Sequence, residues 1–371
     1  MALRFFAKTS PNNLMNKEIK AVRIIGSGLI GTSIALALKG KGISIQMLDE
    51  NAKAQKLATD LVGGKNLENP DLIIISASID QNLNLIVDAL KQNPGSIVMD
   101  VSSVKSNLLD EVAKLSGSAN NFVSTHPMAG REVSGAQSAR SDLFLGRAWI
   151  GIASDNTSED AKNFLNQLVD ICGASLYWLT ANQHDEAVAA ISHLPQILST
   201  GLAYTLDKNG VDSLNLAGQG LRDLLRLSGS NPKLWSELLI ANRDALKGYL
   251  QSMSATISLF QQSLDHADLK KLEEIFSVGN KVYSSIPGKH GGKSRNYAYL
   301  PIVINDEPGQ LAKIFNECAE INVNIEDLTI EHSPGQQTGL ITLAINEKDV
   351  ENLSKHLQNA GWNVHTLKVD K

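Results

Sequence analysis

The amino-acid sequence predicts an α/β protein in three parts: an open sheet with crossover helices, an all-helical segment, and a small split βαβ sandwich. Three observations carry this. Short Ile-, Val- and Leu-rich runs alternate with helical stretches from about residue 20 to 180; the β-signal then vanishes for about a hundred residues; and residues 297–371 follow the order strand, helix, strand, strand, helix, strand. At 371 residues the chain is longer than one hydrophobic core usually organises.

Residues 1–19 read as a disordered leader, because the apolar patch Leu3 to Ala7 is far shorter than a secretory signal's apolar core. Residues 20–180 form the first domain. Its strand candidates are Ala21 to Ile25, Ser44 to Leu48, Leu72 to Ser76, Ile97 to Val101, Phe122 to Thr125 and Ala148 to Ala153, with a closing strand near Leu176. Such nearly continuous apolar runs suit strands covered on both faces, so a parallel sheet is expected. Thr157-Ser-Glu-Asp160 resembles a capping box, and Ala161, Phe164, Leu165, Leu168, Ile171 and Cys172 continue at helical spacing.

Residues 181–286 are helical, with periodic runs at Asp185 to Leu206, Leu234 to Tyr249 and Ser254 to Val282. They hold more apolar residues than one monomeric layer of helices can bury, which points to a homodimer. Residues 287–296 read as a linker, since Pro287 to Ser294 holds three glycines and a proline. The last domain, 297–371, has strands at Tyr299 to Ile304, Ile325 to Glu331, Gly339 to Ile345 and Trp362 to Leu367, and helices at Gln310 to Ile321 and Lys348 to Asn359.

Composition removes several classes of function. A net charge of -5 without a basic cluster gives no electrostatic footprint for nucleic acid. No apolar run reaches the ~18 residues that span a bilayer. Cys172 and Cys318 are the only cysteines, each within an apolar helical pattern, so neither a disulfide framework nor a metal site is implied and the cytoplasm is the natural compartment.

The chemistry-bearing motifs lie where strands end. Gly26-Ser-Gly28-Leu29-Ile30-Gly31 follows a strand and opens a helix, as in a Rossmann-type dinucleotide-binding domain. Gly26 permits the tight turn, Gly28 lets backbone approach a pyrophosphate, and Gly31 allows close helix packing. Asp49 ends the second strand, 18 residues past Gly31, where a carboxylate accepts ribose hydroxyls and favours NAD over NADP. Ser76, at the end of the third strand, joins the expected cofactor-binding residues. His126 and Ser103 follow the fifth and fourth strands: a histidine there can accept a proton near neutral pH, and a serine can hold the same hydroxyl.

Taken together, GSGLIG from Gly26, DVSSVK from Asp100, HPMAGREVSG from His126, HDEAVAAISHLPQ from His184 and LRDLLRLSGSNPKLW from Leu221 resemble the prephenate dehydrogenases, in order and spacing, from about residue 20 to 285. Asn305-Asp306-Glu307-Pro308-Gly309-Gln310-Leu311 resembles the strand-to-helix turn of an ACT domain, an amino-acid-binding regulatory module. The first resemblance implies oxidative decarboxylation of prephenate to 4-hydroxyphenylpyruvate with NAD, in tyrosine biosynthesis. His126 would be the base on the ring hydroxyl, Ser103 would orient that hydroxyl, and Arg226 would bind a substrate carboxylate, a task that suits a bidentate guanidinium.

The same resemblance implies substrate-side roles for Arg222, His193 and Gln196, although Gln196 stands where a second histidine is common. It implies gating at the pocket mouth by Glu132. Asn231 falls at the specificity position, and its neutrality favours prephenate over arogenate, whose ammonium would seek an acid. His184, in the same helix as His193, reads as a cap or packing residue. The ACT resemblance implies L-tyrosine as effector at Asp306, Gly309, Gln310 and Leu311, beside a helix N-terminus. An arogenate dehydrogenase, another dehydrogenase of related fold, and a catalytically silent amino-acid sensor are the rival readings.

Overall fold

The computed structural model describes residues 17–365 apart from 106–107, 117–118, 131–132, 134, 155, 211, 287–296, 306 and 333–337. The chain divides into two compact units, residues 1–262 and 263–371. The expected leader up to residue 16 and the linker at 287–296 lie outside the described residues.

All seven expected strands of the first unit form: β1 (Ala21–Ile25), β2 (Ser44–Leu48), β3 (Leu72–Ile75), β4 (Ile97–Asp100), β5 (Phe122–Pro127), β6 (Ala148–Ile152) and β7 (Ser175–Trp178). They make one sheet in the order β2-β1-β3-β4-β5-β6-β7. Helices α1 (Leu29–Leu38), α2 (Ala52–Val62), α3 (Ile79–Gln92), α4 (Leu108–Ser116) and α5 (Glu159–Ile171) cover it on both faces. The uninterrupted isoleucines of β3 show why its sequence does not alternate. Leu72 and Ile74 enter one core with Ile34 of α1 and Phe164 of α5, whereas Ile73 and Ile75 enter the other with Ile86 of α3 and Val112 of α4.

One strand departs from the expected parallel sheet. β6 runs antiparallel to β5, with His126 opposite Ile150, and parallel to β7. Among the described residues the connection before β6 contains a short 3-10 turn, Ala136–Ser138, and no helix, where a parallel return requires a crossover element. α5 supplies that crossover for β7. Its cap is Ser158, whose hydroxyl accepts from Ala161 N–H, while Thr157 is buried and accepts from Ser154 N–H instead.

The helical runs are more broken than their periodicity suggests. Asp185 to Leu206 becomes α6 (Ala181–Val188), a π-helical turn (Ala189–His193) and α7 (Leu194–Lys208). Pro195 opens α7 and has no N–H to give the carbonyl four residues back, which accounts for the local change in pairing. Next come α8 (Gln219–Leu225), α9 (Pro232–Ala241) and α10 (Arg243–Asp265). The predicted Leu234 to Tyr249 run is thus cut at Asn242, a buried residue whose side chain reaches other elements. Leu216, Leu224 and Ile240 are largely exposed on this helical segment.

In the second unit α10 ends and α11 (Leu269–Ser285) begins after Ala267 turns the chain at φ 50°. That turn cuts the predicted Ser254 to Val282 run. The rest is β8 (Tyr297–Asn305), α12 (Gln310–Glu320), β9 (Asp327–His332), β10 (Thr338–Asn346), α13 (Val350–Asn359) and β11 (Asn363–Val364). The order β11-β8-β10-β9, all antiparallel, is that of the predicted ferredoxin-like βαββαβ sandwich. Leu300, Ile302 and Ile304 of β8 alternate inward against Ile314 and Cys318 of α12 and Leu353 and Leu357 of α13.

Both cysteines are free and buried, and burial pushes the Cys172 thiol up to about 12 and the Cys318 thiol up to about 11. Among the described residues no helix is long and apolar enough to cross a membrane.

Candidate active site

With strand order 2-1-3-4-5, the sheet changes direction of winding between β1 and β3, and ligands of open α/β sheets bind outside the carboxyl ends at such a point. The glycine loop is there. Gly26 sits at φ +107°, and a Cβ on it would lie 2.1 Å from the Ser76 carbonyl oxygen; a Cβ on Gly31 would lie 2.2 Å from the Gly26 carbonyl oxygen. Around Gly28 a Cβ would meet nothing within 4 Å. Two glycines are therefore required by the protein's own packing, while the third faces open space.

The loop's polar groups fit a phosphate-bearing ligand. The hydroxyls of Ser27 and Thr32 are buried with no hydrogen-bond partner among the described residues. The first turn of α1, which starts at Leu29 and Ile30, carries no acid, and Gly28 offers no side-chain cap, so its N–H groups can receive an anion. Asp49 follows β2 and accepts from Ser27 N–H at 2.6 Å and Asn51 N–H at 2.8 Å. A carboxylate accepts about four hydrogen bonds, so Asp49 can tie down the loop and still accept hydroxyls. Ser76 donates its N–H to Ile25 and walls the loop with its carbonyl.

His126 lies on β5 at the same carboxyl edge of the sheet. Its Nδ1 is 2.8 Å from His184 Nε2, and His184 Nδ1 is 2.7 Å from Asp185 Oδ1. Asp185 Oδ1 also accepts Lys105 N–H at 2.9 Å. Burial holds the His126 pKa well below the ordinary imidazole range, and the neighbouring His184, Lys105 and His193 push it the same way. His184 is thus no cap. Thr180 caps α6, in a capping box with Gln183, and His184 is fully buried against His126.

Beneath the site lies a buried ion pair. Lys105 Nζ is 2.6 Å from Asp100 Oδ2, and the two Asp100 oxygens also receive Ser102, Ser124 and Asn82 side chains and the Thr125 N–H. Burial works against the Asp100 carboxylate, yet Lys105 and these donors leave its pKa below the usual range; burial lowers that of Lys105 despite Asp100. The Ser102 to Lys105 turn carries the half-buried Ser103.

The substrate-side candidates occupy helices. His193 ends the π-helical turn, buried, with its ring edge-on to Trp235 at 5.9 Å and Nδ1 3.0 Å from Asn242 Nδ2. Asn242 Nδ2 also donates to the Asp185 carbonyl. Burial again lowers the histidine's pKa. Gln196 Nε2 donates to the Leu227 carbonyl, and Ser199 bonds both the Leu224 carbonyl and Ser228 N–H, so α7 pins the turn bearing Arg226. Arg226 and Arg222 are exposed there. Glu132 lies outside the described residues, as does Asp306.

Asn231 caps α9, its side chain accepting from Leu234 N–H at 3.1 Å. Asn231→Ala is expected to cost about 1 kcal/mol, measured by urea unfolding, whereas Asn231→Asp keeps the cap and should stay within about 0.5 kcal/mol.

In the second unit Gly309, at φ +89°, caps α12 with no side-chain hydrogen bond. A groove of about 510 Å³ runs beside α12, lined by Gln310, Lys313, Glu317, Gly361 and Trp362 among others. Leu311 instead packs on the core. His184, Asp185, Lys105 and Asn242 are the site residues that periodicity did not single out.

Two family models match this chain: prephenate dehydrogenase, nucleotide-binding domain, over residues 34–178, and prephenate dehydrogenase, dimerization domain, over residues 180–278. The Streptomyces niveus protein "Probable prephenate dehydrogenase NovF" is 29% identical over 355 residues, 91% of this chain and 98% of that protein. Among solved structures, Aquifex aeolicus prephenate dehydrogenase in complex with hydroxyphenyl propionate and NAD+ superposes with TM-score 0.66 at 22% identity, over 72% of this chain and 98% of that one. Synechocystis arogenate dehydrogenase gives 0.61 at 25% identity, over 71% and 98%.

Proposed function

Because the chain belongs to the prephenate dehydrogenase family, we propose that it oxidatively decarboxylates prephenate to 4-hydroxyphenylpyruvate, with NAD as cofactor, in tyrosine biosynthesis. The carrying observation is His126, an imidazole kept neutral at the carboxyl edge of the sheet that bears the glycine loop. Gly26 to Gly31, Asp49 and Ser76 would hold NAD, which would supply the acceptor for the hydride lost from the ring carbon that bears the hydroxyl. His126 takes the proton of the ring hydroxyl, Ser103 orients that hydroxyl, and loss of the ring carboxylate as carbon dioxide makes the ring aromatic. Arg226 binds a carboxylate, with Arg222 and His193 on the substrate side and Glu132 at the mouth. The exposed Leu216, Leu224 and Ile240 are covered in a homodimer.

One observation favours arogenate as a second substrate. Gln196 Oε1 is buried with no partner among the described residues, an acceptor suited to an ammonium. The C-terminal unit acts as an ACT domain that senses L-tyrosine, held by the Gly309 turn and Gln310. Its groove falls within the ~300–1,000 Å³ typical of small-molecule sites.

The test is NADH formation at 340 nm with prephenate and with arogenate, each with and without millimolar L-tyrosine. Turnover is expected with prephenate and should fall on adding tyrosine. As the base acts neutral and its pKa in the free protein is depressed, kcat/KM should hold through the ordinary imidazole range and decline only at lower pH. No NADH with either substrate would overturn the assignment; rates indifferent to tyrosine would remove only the effector.

A further inference from the structure

The hydrogen bonds behind His126 fix which of its nitrogens is basic, and we propose that His184 and Asp185 are positioning residues that hold His126 as its Nδ1–H tautomer with Nε2 free. This rests on the reading of His126 as the base.

The tautomer follows from donors that have no choice. The Lys105 backbone N–H can only donate, and its partner is Asp185 Oδ1 at 2.9 Å. That oxygen is therefore an acceptor, and His184 Nδ1, 2.7 Å from it, must carry a proton to bond. A neutral His184 ring holds that one proton only, so its Nε2 keeps a lone pair. The His126 nitrogen 2.8 Å away must then donate. Nδ1 of His126 is protonated, and Nε2 is the nitrogen left to receive a substrate proton.

The arrangement also serves the charged form. When Nε2 gains a proton, the imidazolium keeps its bond to the His184 ring, which itself leans on the Asp185 carboxylate. Charge is spread toward an anion without a second proton moving. A packing role alone for His184 would demand none of these three directional contacts.

Selective 15N labelling of histidine in the full-length protein reads the tautomer directly. At pH 8 the His126 resonances, assigned by their loss in His126→Ala, should show Nδ1 protonated and Nε2 bare. The opposite tautomer in the wild-type protein would overturn the proposal while leaving His126 free to bind substrate some other way. As a second measure, His184→Leu should lower kcat about 10²-fold with KM within a few-fold, and His184→Gln, whose Oε1 can accept from Nδ1–H, should recover at least a tenth of wild-type kcat. Equal loss in the folded Leu and Gln variants would reduce His184 to packing. Unchanged turnover in His126→Ala would instead defeat the underlying function.

Discussion

His126→Ala is expected to lower kcat with prephenate by about 10²–10⁴-fold, the range a positioned general base contributes. Cofactor affinity should change little, because the glycine loop, Asp49 and Ser76 are held by bonds in which His126 has no part. The variant removes the donor to His184 Nε2 and opens a small cavity beside a fully buried ring, so some stability will be lost as well. Steady-state kinetics and a fluorescence titration of the cofactor separate the two effects. Turnover within threefold of wild type would exclude His126 from the chemistry.

Lys105→Met should produce the largest loss of stability, about 3–5 kcal/mol, since it strands the Asp100 carboxylate without its cation in a fully buried place. The remaining donors from Ser102, Ser124, Asn82 and Thr125 satisfy its lone pairs but not its charge. Adding Asp100→Asn should recover part of the loss, because the charge then goes with its partner. Urea unfolding measures both, and a loss below about 1 kcal/mol for Lys105→Met would show that the pair contributes little. The pair also sets an acid limit. Asp100 has a folded pKa below its unfolded 3.8, so the stability it lends is present above pH 3.8 and disappears as pH falls through the folded value.

Much of the fold was legible because apolar patterning is a local signal. Each strand of the first sheet and each element of the sandwich announced itself by its own side chains, and Gly26 and Gly31 proved irreplaceable for reasons their spacing had implied. Strand direction was not local. The reversal of β6 depends on the connection before it, whose described residues hold no helix, and not on Ala148–Ile152 itself.

His126, in a family-like motif at a strand end, was found for what surrounds it in sequence. His184 was not, because its partner lies 58 residues away and the Lys105 bond to Asp185 spans 80. A signal existed in His184-Asp185. His184 and Asp185 stand four and three residues before Val188, on the one face of α6 that is buried, and an acid on a buried helix face calls for a partner. Asn242 and Pro195 mark the breaks at the end of α9 and before α7, and the strong helical periodicity on either side masks them.

The amide of Lys105 and the amide of Asn242 both end on Asp185, one from the sheet side and one from the far helices. That single residue thereby rivets the nucleotide-binding half to the helical half. A fragment stopped at residue 180 would surrender the acceptor for Lys105, bare the imidazole of His126 to water and expose the edge it leaned on. The family boundary near that residue marks a change of architecture, not a seam along which the molecule can be cut.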